Sequence, residues 1–294
     1  MFFIKKQIII IILLLLLLCA CTPQNTDYAT EKTDEEDTVK IVYVDWATEV
    51  ASAHVVQAVI EEKLGYSCQL LPVSAVAMWE AVASGDQDAM VAAWLPSLHH
   101  HYLDKHKDHV VDLGPNLENV FMGMVVPTYV TIDSVEDLKE YGNQFRERII
   151  GIDPGAGLMT STDKAIEDYG LKQYELVTGS DATMVETLEN AIDDGEWIVV
   201  TGWTPHWKFA RWDLKYLKDP LGSYGSSERI HTIVREGLEE DMPEVYELLD
   251  RFYWEPEHME HVMLLIHENG VSPEEAARIW ISENEEIVNE WILP

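Results

Sequence analysis

Two stretches of this sequence end the same way. An apolar run, Ala89–Ala93, leads straight into Trp94-Leu95-Pro96, and a second, Trp197–Thr201, leads through Gly202 into Trp203-Thr204-Pro205. The segments before them match as well. Met78 and Met184 open the preceding helical patterns, and an acidic glycine turn, Gly85-Asp86 or Asp194-Gly195, precedes each run. Working outwards, each half repeats one grammar. In the first, Ile41–Val44 reads as a strand, Thr48 as the N-cap of a helix carrying Val55, Val56, Val59 and Ile60, and Gly65 as its stop. Ser67–Leu71 is then a strand and Ala75–Ala83 a short helix. In the second, Arg148–Ile152 is a strand, Asp153–Gly157 a turn and Leu158–Tyr169 a helix, followed by strand Tyr174–Val177 and helix Ala182–Ile192.

Strands alternating with helices imply parallel sheets covered on both faces, so two such units predict two α/β lobes. Ligands of sheets of this kind bind beyond the carboxyl ends of the strands. Trp94 and Trp203 stand just past such ends, one per lobe, and face a shared cleft if a pseudo-twofold relates the halves. A single strand-end tryptophan is ordinarily core, but two at equivalent positions point to a site. The final third is helical, with Val245, Leu248, Leu249 and Phe252 on one face, Met259, Val262, Met263 and Ile266 on the next. Ser272-Pro273-Glu274-Glu275 starts a helix that Ile279 and Trp280 continue. Trp254 follows Phe252-Tyr253 and precedes Glu255-Pro256, on a connection rather than a stripe.

Charge narrows the function. With 20 Lys+Arg against 53 Asp+Glu the formal net charge is −33, so a phosphate backbone would be repelled and a nucleic-acid partner is excluded. The first twenty residues are an address. Lys5 and Lys6 precede 11 consecutive Ile and Leu at Ile8–Leu18, too few for a comfortable span and suited to a signal peptide. Leu18-Cys19-Ala20-Cys21 resembles a bacterial lipobox with Cys21 as the acylated residue, giving a lipoprotein signal over 1–20 and an acidic tether over 21–38. An ordinary cleaved signal or an uncleaved anchor is the alternative. Cys68 is left alone, a buried thiol.

No nucleophile motif, phosphate loop or His-Glu-x-x-His is present. The run His99, His100, His101, His106 and His109 is the metal candidate, but consecutive histidines point in different directions and no acidic ligand keeps register with them. Ten tryptophans offer a different chemistry. A trimethylated ammonium donates no hydrogen bond, and an aromatic cage holds it through ring quadrupoles and methyl contacts. A carboxylate on the same ligand would suit a helix N-terminus, for which the turn Asp45–Val50 is the candidate.

Several motifs then carry a resemblance. They are Val44-Asp45-Trp46-Ala47-Thr48-Glu49, Ala77-Met78-Trp79-Glu80, Met90–Pro96, Asp112–Leu117, Val199–Trp207 and Tyr253-Trp254. Across Val39–Trp291 the chain resembles the glycine betaine/proline betaine substrate-binding lipoproteins of osmoprotectant ABC transporters. The resemblance implies a two-lobed type II periplasmic-binding-protein fold, no catalysis and no cofactor or metal. It implies a cage of Trp94, Trp203 and Trp254, with the amides of Glu49 and Val50 on the ligand carboxylate and the acidic side chain of Glu49 turned away. His258 and His261 are expected to touch a bulkier betaine or to lie on the helix face. Lobe I is expected at 39–126 plus 231–294 and lobe II at 127–230. The partners implied are a zwitterionic quaternary amine and the permease subunits, with the lipid anchor on the extracytoplasmic face of the cell membrane. A secreted α/β hydrolase or metal-dependent enzyme using the histidine run is the reading from another class.

Overall fold

The computed structural model describes residues 38–225 and 228–292. Strand β1 (Thr38–Tyr43) is buried at five of its six positions, as a strand covered on both faces must be. Helix α1 (Ala47–Val59) follows, capped by Trp46 rather than Thr48, and runs on through a wider π turn to Gly65. At φ 78° Gly65 takes the left-handed conformation that ends the helix, which glycine adopts without a Cβ penalty. Then come β2 (Ser67–Pro72), α2 (Ala75–Ala83), β3 (Ala89–Leu95), α3 (His100–His106) and β4 (Val110–Pro127).

The second half holds β5 (Arg148–Ile150), α4 (Gly157–Asp168), β6 (Glu175–Val177), α5 (Asp181–Asp193), β7 (Val200–Thr204), α6 (Lys208–Arg211) and β8 (Leu214–Tyr216). The chain returns through β9 (Glu228–Arg235) to the helices α7 (Leu238–Asp241), α8 (Pro243–Arg251), α9 (Pro256–Asn269), α10 (Pro273–Glu283) and α11 (Glu285–Ile292). Ser272 caps α10 by accepting the Glu275 amide at 3.2 Å.

The strands lie in the order β2-β1-β3-β9-β4-β7-β5-β6, with β8 on β4. Within each half the repeated grammar is parallel: β1 pairs β2 and β3, and β5 pairs β6 and β7. The sheets as a whole are mixed, which corrects the expectation of parallel sheets. The reason is the pair of long connecting strands: β9 runs antiparallel to β3 and β4, and β4 antiparallel to β7 and β8. Strand β4 pairs with β9 as far as Val120 and with β7 from Phe121, so one strand belongs to both sheets. Strand β3 is buried at every position and forms the middle of the first sheet. Trp94 and Trp203 fall inside β3 and β7 near their carboxyl ends, not beyond them, because both strands run further than their apolar stretches. Among the described residues no helix is long and apolar enough to cross a membrane.

Candidate functional site

The carboxyl ends of β1, β3 and β7 converge on one apolar cavity of about 320 Å³, counting the part open to solvent. Three indoles line it: Trp46 from the β1–α1 turn, Trp94 from β3 and Trp203 from β7. All three are buried, at 5%, 3% and 4% exposure, yet they come from segments far apart in the chain. Trp46 is fixed from the other half of the molecule, since its Nε1–H donates to Asp153 Oδ2 at 2.9 Å. In both Trp-x-Pro segments the bond before proline is cis, Leu95-Pro96 and Thr204-Pro205.

Across the cavity lies the start of α4, where Ala156, Gly157 and Leu158 line it. As the first two helical positions, Gly157 and Leu158 have amides with no carbonyl to bond within their own helix, at the positive end of its dipole. Position 157 must be glycine. A Cβ there would stand 2.5 Å from the Leu98 carbonyl oxygen and 2.6 Å from Leu98 Cβ, because the loop after β3 presses against this helix start.

His99 completes the polar lining. Its Nδ1 accepts from the Trp94 amide at 3.2 Å and the Trp79 indole at 3.4 Å, which leaves the proton on Nε2. Burial drives its pKa down to about 3, so it is a neutral donor at any ordinary pH. Glu49 is fully buried close by. Its Oε2 accepts the Val44 amide at 2.9 Å, and burial pushes its carboxyl well above the usual range, with that amide and the nearby Trp94 opposing. Behind Trp203 lies a buried polar group: Asp181, His206 and Lys208. His206 Nδ1 accepts the Lys208 amide at 3.1 Å, so Nε2–H donates to Asp181 Oδ1 at 3.1 Å. Asp181 Oδ2 accepts the Ala47 amide at 3.0 Å, tying α5 to the start of α1.

The expected site residues divide. Trp94 and Trp203 share the cavity. Trp254 does not: its ring packs on Phe252 and edge-on to Trp280, its amide donates to Asn116, and it is 1% exposed beneath the C-terminal helices. The amides of Glu49 and Val50 are not free for an anion either. Both donate to the Trp46 carbonyl, at 3.0 and 2.9 Å, because the helix is capped at Trp46, two residues before the expected Thr48. The Glu49 side chain does turn away, folding back on Val44. His258 bonds the Glu255 amide and His261 pairs with Glu283 at 3.7 Å, both on α9 and outside the cavity lining. Among the described residues no three His, Cys, Asp or Glu side chains are grouped to hold a metal. Of the histidine run, His99 faces the cavity while exposed His100 pairs with Asp104. Cys21 lies outside the described residues.

Sequence reasoning missed Trp46, His99 and the Gly157-Leu158 amides. The signal for Trp46 was available, since the β1–α1 turn is another strand carboxyl end. His99 was masked by its four neighbouring histidines, and the α4 amides by the better-looking cap at Thr48.

Residues 37–283 match the family described as the substrate binding domain of ABC-type glycine betaine transport system. The glycine betaine/carnitine transport binding protein GbuC of Listeria monocytogenes is 49% identical over 163 residues, 55% of this chain and 54% of that relative. The match thus spans about half of the curated protein's length. Among solved structures, lactococcal OpuAC in its closed-liganded conformation with glycine betaine is 43% identical. It covers 87% of this chain and 99% of that one, with TM-score 0.83. The glycine betaine, L-proline binding protein of Borrelia burgdorferi is 40% identical over 87% of this chain and 96% of its own, also with TM-score 0.83.

Proposed function

Because the chain belongs to the family of substrate-binding domains of ABC-type glycine betaine transport systems, we propose that it captures a zwitterionic quaternary amine, glycine betaine or a close relative, and delivers it to the permease. The observation that carries this reading is the cavity in which three indoles oppose a helix N-terminus. Trp46, Trp94 and Trp203 surround the trimethylammonium. Each ring supplies cation–π attraction of roughly 0.5–2 kcal/mol and methyl contact besides. The carboxylate accepts from the Gly157 and Leu158 amides and from His99 Nε2–H, where the dipole of α4 favours negative charge. A neutral histidine suits this task, since it donates without adding a charge that a cationic ligand end would resist. The names of GbuC and of lactococcal OpuAC, the latter bound to glycine betaine, support this ligand class.

Capture closes two lobes, one per sheet, that meet between Val120 and Phe121 of the shared strand β4 rather than at the expected 126/127. Asp153 on Trp46 and Asp181 on the Ala47 amide act as the clasps between them. The receptor works outside the cytoplasm, anchored through acylated Cys21 at the end of the signal segment 1–20. Calorimetric titration of the chain from residue 21 with glycine betaine, proline betaine, carnitine and choline tests the capture. Saturable binding of at least one betaine is expected, and no heat from any of the four would end the reading. Cys21→Ser should impair normal lipoprotein processing and anchoring; unchanged lipidation and retention would refute the anchor.

A further inference from the structure

Lys208 has no role in the site as described, and its position is unusual for a lysine. It is 0% exposed, its Nζ has no hydrogen-bond partner, and Nζ stands 4.3 Å from the centroid of the Trp203 ring. Lys208 is not part of the cavity lining, whereas Trp203 is, so the ammonium takes the side of the indole away from the cavity. Resting on the quaternary-amine reading, we propose that Lys208 is a specificity-determining residue: its charge behind Trp203 disfavours ligands with a net positive charge and so selects zwitterions over plain quaternary ammonium cations.

The physics is that of one ring asked to serve two cations. An indole face attracts a cation through its quadrupole, but a second cation on the opposite face meets the first across a thin, weakly screening plate. The separation would be roughly 8–10 Å, the sum of the two cation–ring distances. At an effective dielectric near 20 a monocation such as choline is weakened about tenfold to thirtyfold. Glycine betaine carries its carboxylate in the same field, so attraction returns most of that loss and it weakens no more than about threefold.

Both charge states of Lys208 are accessible. Burial lowers its pKa to about 7, against the opposing pull of Asp181. The other titratable groups packed here are His206 in the same segment, His267 from α9 and Tyr216 from β8. Burial lowers both histidines, His206 to about 4. Tyr216 is pushed upward by burial and bonds Thr204 at 2.6 Å. Lys208 is therefore the group of this set whose ionisation crosses neutrality, and a bound cation must favour its neutral form by the same factor that its charge weakens the cation.

The test is calorimetry on the purified chain with choline and glycine betaine at pH 6 and pH 8.5, in buffers of different ionisation enthalpy. Choline is titrated by displacement of glycine betaine where direct heats are too small. In the unsubstituted protein, choline affinity should rise at least fivefold from pH 6 to pH 8.5 while that of glycine betaine rises less than threefold, and choline should release protons on binding near pH 7. Lys208→Met, which keeps an unbranched apolar stem, should narrow the choline-to-betaine gap at pH 6 by about fivefold or more and abolish the release. Linkage that persists in Lys208→Met, where His206 and His267 remain, would overturn the assignment, as would a choline affinity indifferent to pH in the unsubstituted protein. Should Lys208→Met not fold, Lys208→Gln takes its place in both measurements. Absence of binding by both ligands would defeat the capture itself, whereas binding without linkage defeats only the role of Lys208.

Discussion

The molecule holds two clusters of three tryptophans, and they are built on opposite principles. In the C-terminal cluster the rings cover one another. Trp280 is edge-on to Trp254 at 5.6 Å and stacked on Trp291 at 5.9 Å, and Trp291 donates to the Tyr253 carbonyl at 2.9 Å. In the other, Trp46, Trp94 and Trp203 come from three strand ends and line a cavity between them. Their recorded ring neighbours are a histidine, His99 beside Trp46, and His206 and Lys208 beside Trp203. All six rings are at least 95% buried, so exposure separates the two clusters by only a few per cent. What separates them is whether the ring faces are already covered by other side chains. In the first arrangement the ring faces cover one another, and in the second a cavity is left between them.

The largest expected effect breaks this comparison on the folding side. Trp280 is fully buried among Trp254, Trp291 and His258. Trp280→Ala should cost about 3–5 kcal/mol of stability, since the rings around it cannot collapse into so large a void. Trp254→Ala should behave in the same way. Glycine betaine affinity of whatever remains folded should be nearly unchanged. Urea titration with a parallel binding assay reads both, and a Trp254 variant that stays stable but loses the ligand would return that ring to the cage.

Next in size is the reverse experiment. Trp46→Ala, Trp94→Ala and Trp203→Ala each remove roughly 1–3 kcal/mol of cation–π and methyl contact. Glycine betaine binding should fall about tenfold to a hundredfold at each position, while the melting temperature without ligand shifts far less than in Trp280→Ala. Trp→Phe should cost less, because a smaller ring face remains. Normal binding by folded Trp94→Ala and Trp203→Ala would show that the two clusters do not differ in this way.

The same contrast explains what could be read from the sequence. The strand ends at Trp94 and Trp203 were legible because a duplicated motif marks them, and Ala75–Ala83 matches the expected helix end for end. The fold class followed from the alternation of strands and helices and from the resemblance. Strand β4 was not legible. Gly114, Pro115 and Asn119 (φ 60°) interrupt it, and its pairing slips at Asp112/Gly114, Pro115/Leu117 and Leu117/Val120. Breakers of that kind read as loop, yet pairing with β9 holds the backbone extended through them, and β7 takes over from Phe121. The third expected indole, Trp254, lies outside the cavity lining for a related reason. Trp46 and Trp254 both sit on connections, and nothing local says which will be fixed over the strand ends. The Asp153 carboxylate that holds Trp46 lies 107 residues away.

A smaller effect sharpens the comparison through pH. The cavity side carries buried neutral histidines, His99 and His206, with pKa values lowered by burial to about 3 and 4. Unfolded histidine titrates near 6.5, so between about pH 6.5 and pH 5 the unfolded chain binds protons that the folded one does not. Stability must therefore fall as pH drops through that window. Glu49 acts with the opposite sign, because a buried carboxyl with a raised pKa is relieved as it protonates. The two histidines should outweigh it, leaving a net loss of stability by pH 5. Asp181, lowered to about 2, adds its own acid sensitivity only below pH 3.8. Thermal melts from pH 7 to pH 5 should show the decline, His99→Gln should flatten it, and Glu49→Gln should steepen it. A melting temperature that rises on acidification would reverse the assigned signs.

The smallest expected effect is a near absence of salt dependence, and it bears on why a protein of net charge −33 would use rings rather than carboxylates to hold a cation. Long-range steering acts on the net charge of the ligand, which for a betaine is zero. On the proposed reading, the ammonium would meet ring faces and the carboxylate backbone amides, contacts too short for solvent ions to screen much. At 1 M salt the screening length is about 3 Å, so fields from the acidic surface vanish there while cation–π and amide contacts persist. Raising sodium chloride from dilute to molar should therefore change glycine betaine affinity by less than about threefold. Choline, a full cation, should lose the attraction of the acidic surface and weaken more. A change of several decades for glycine betaine would mean that surface charge, not the indole cavity, holds the ligand.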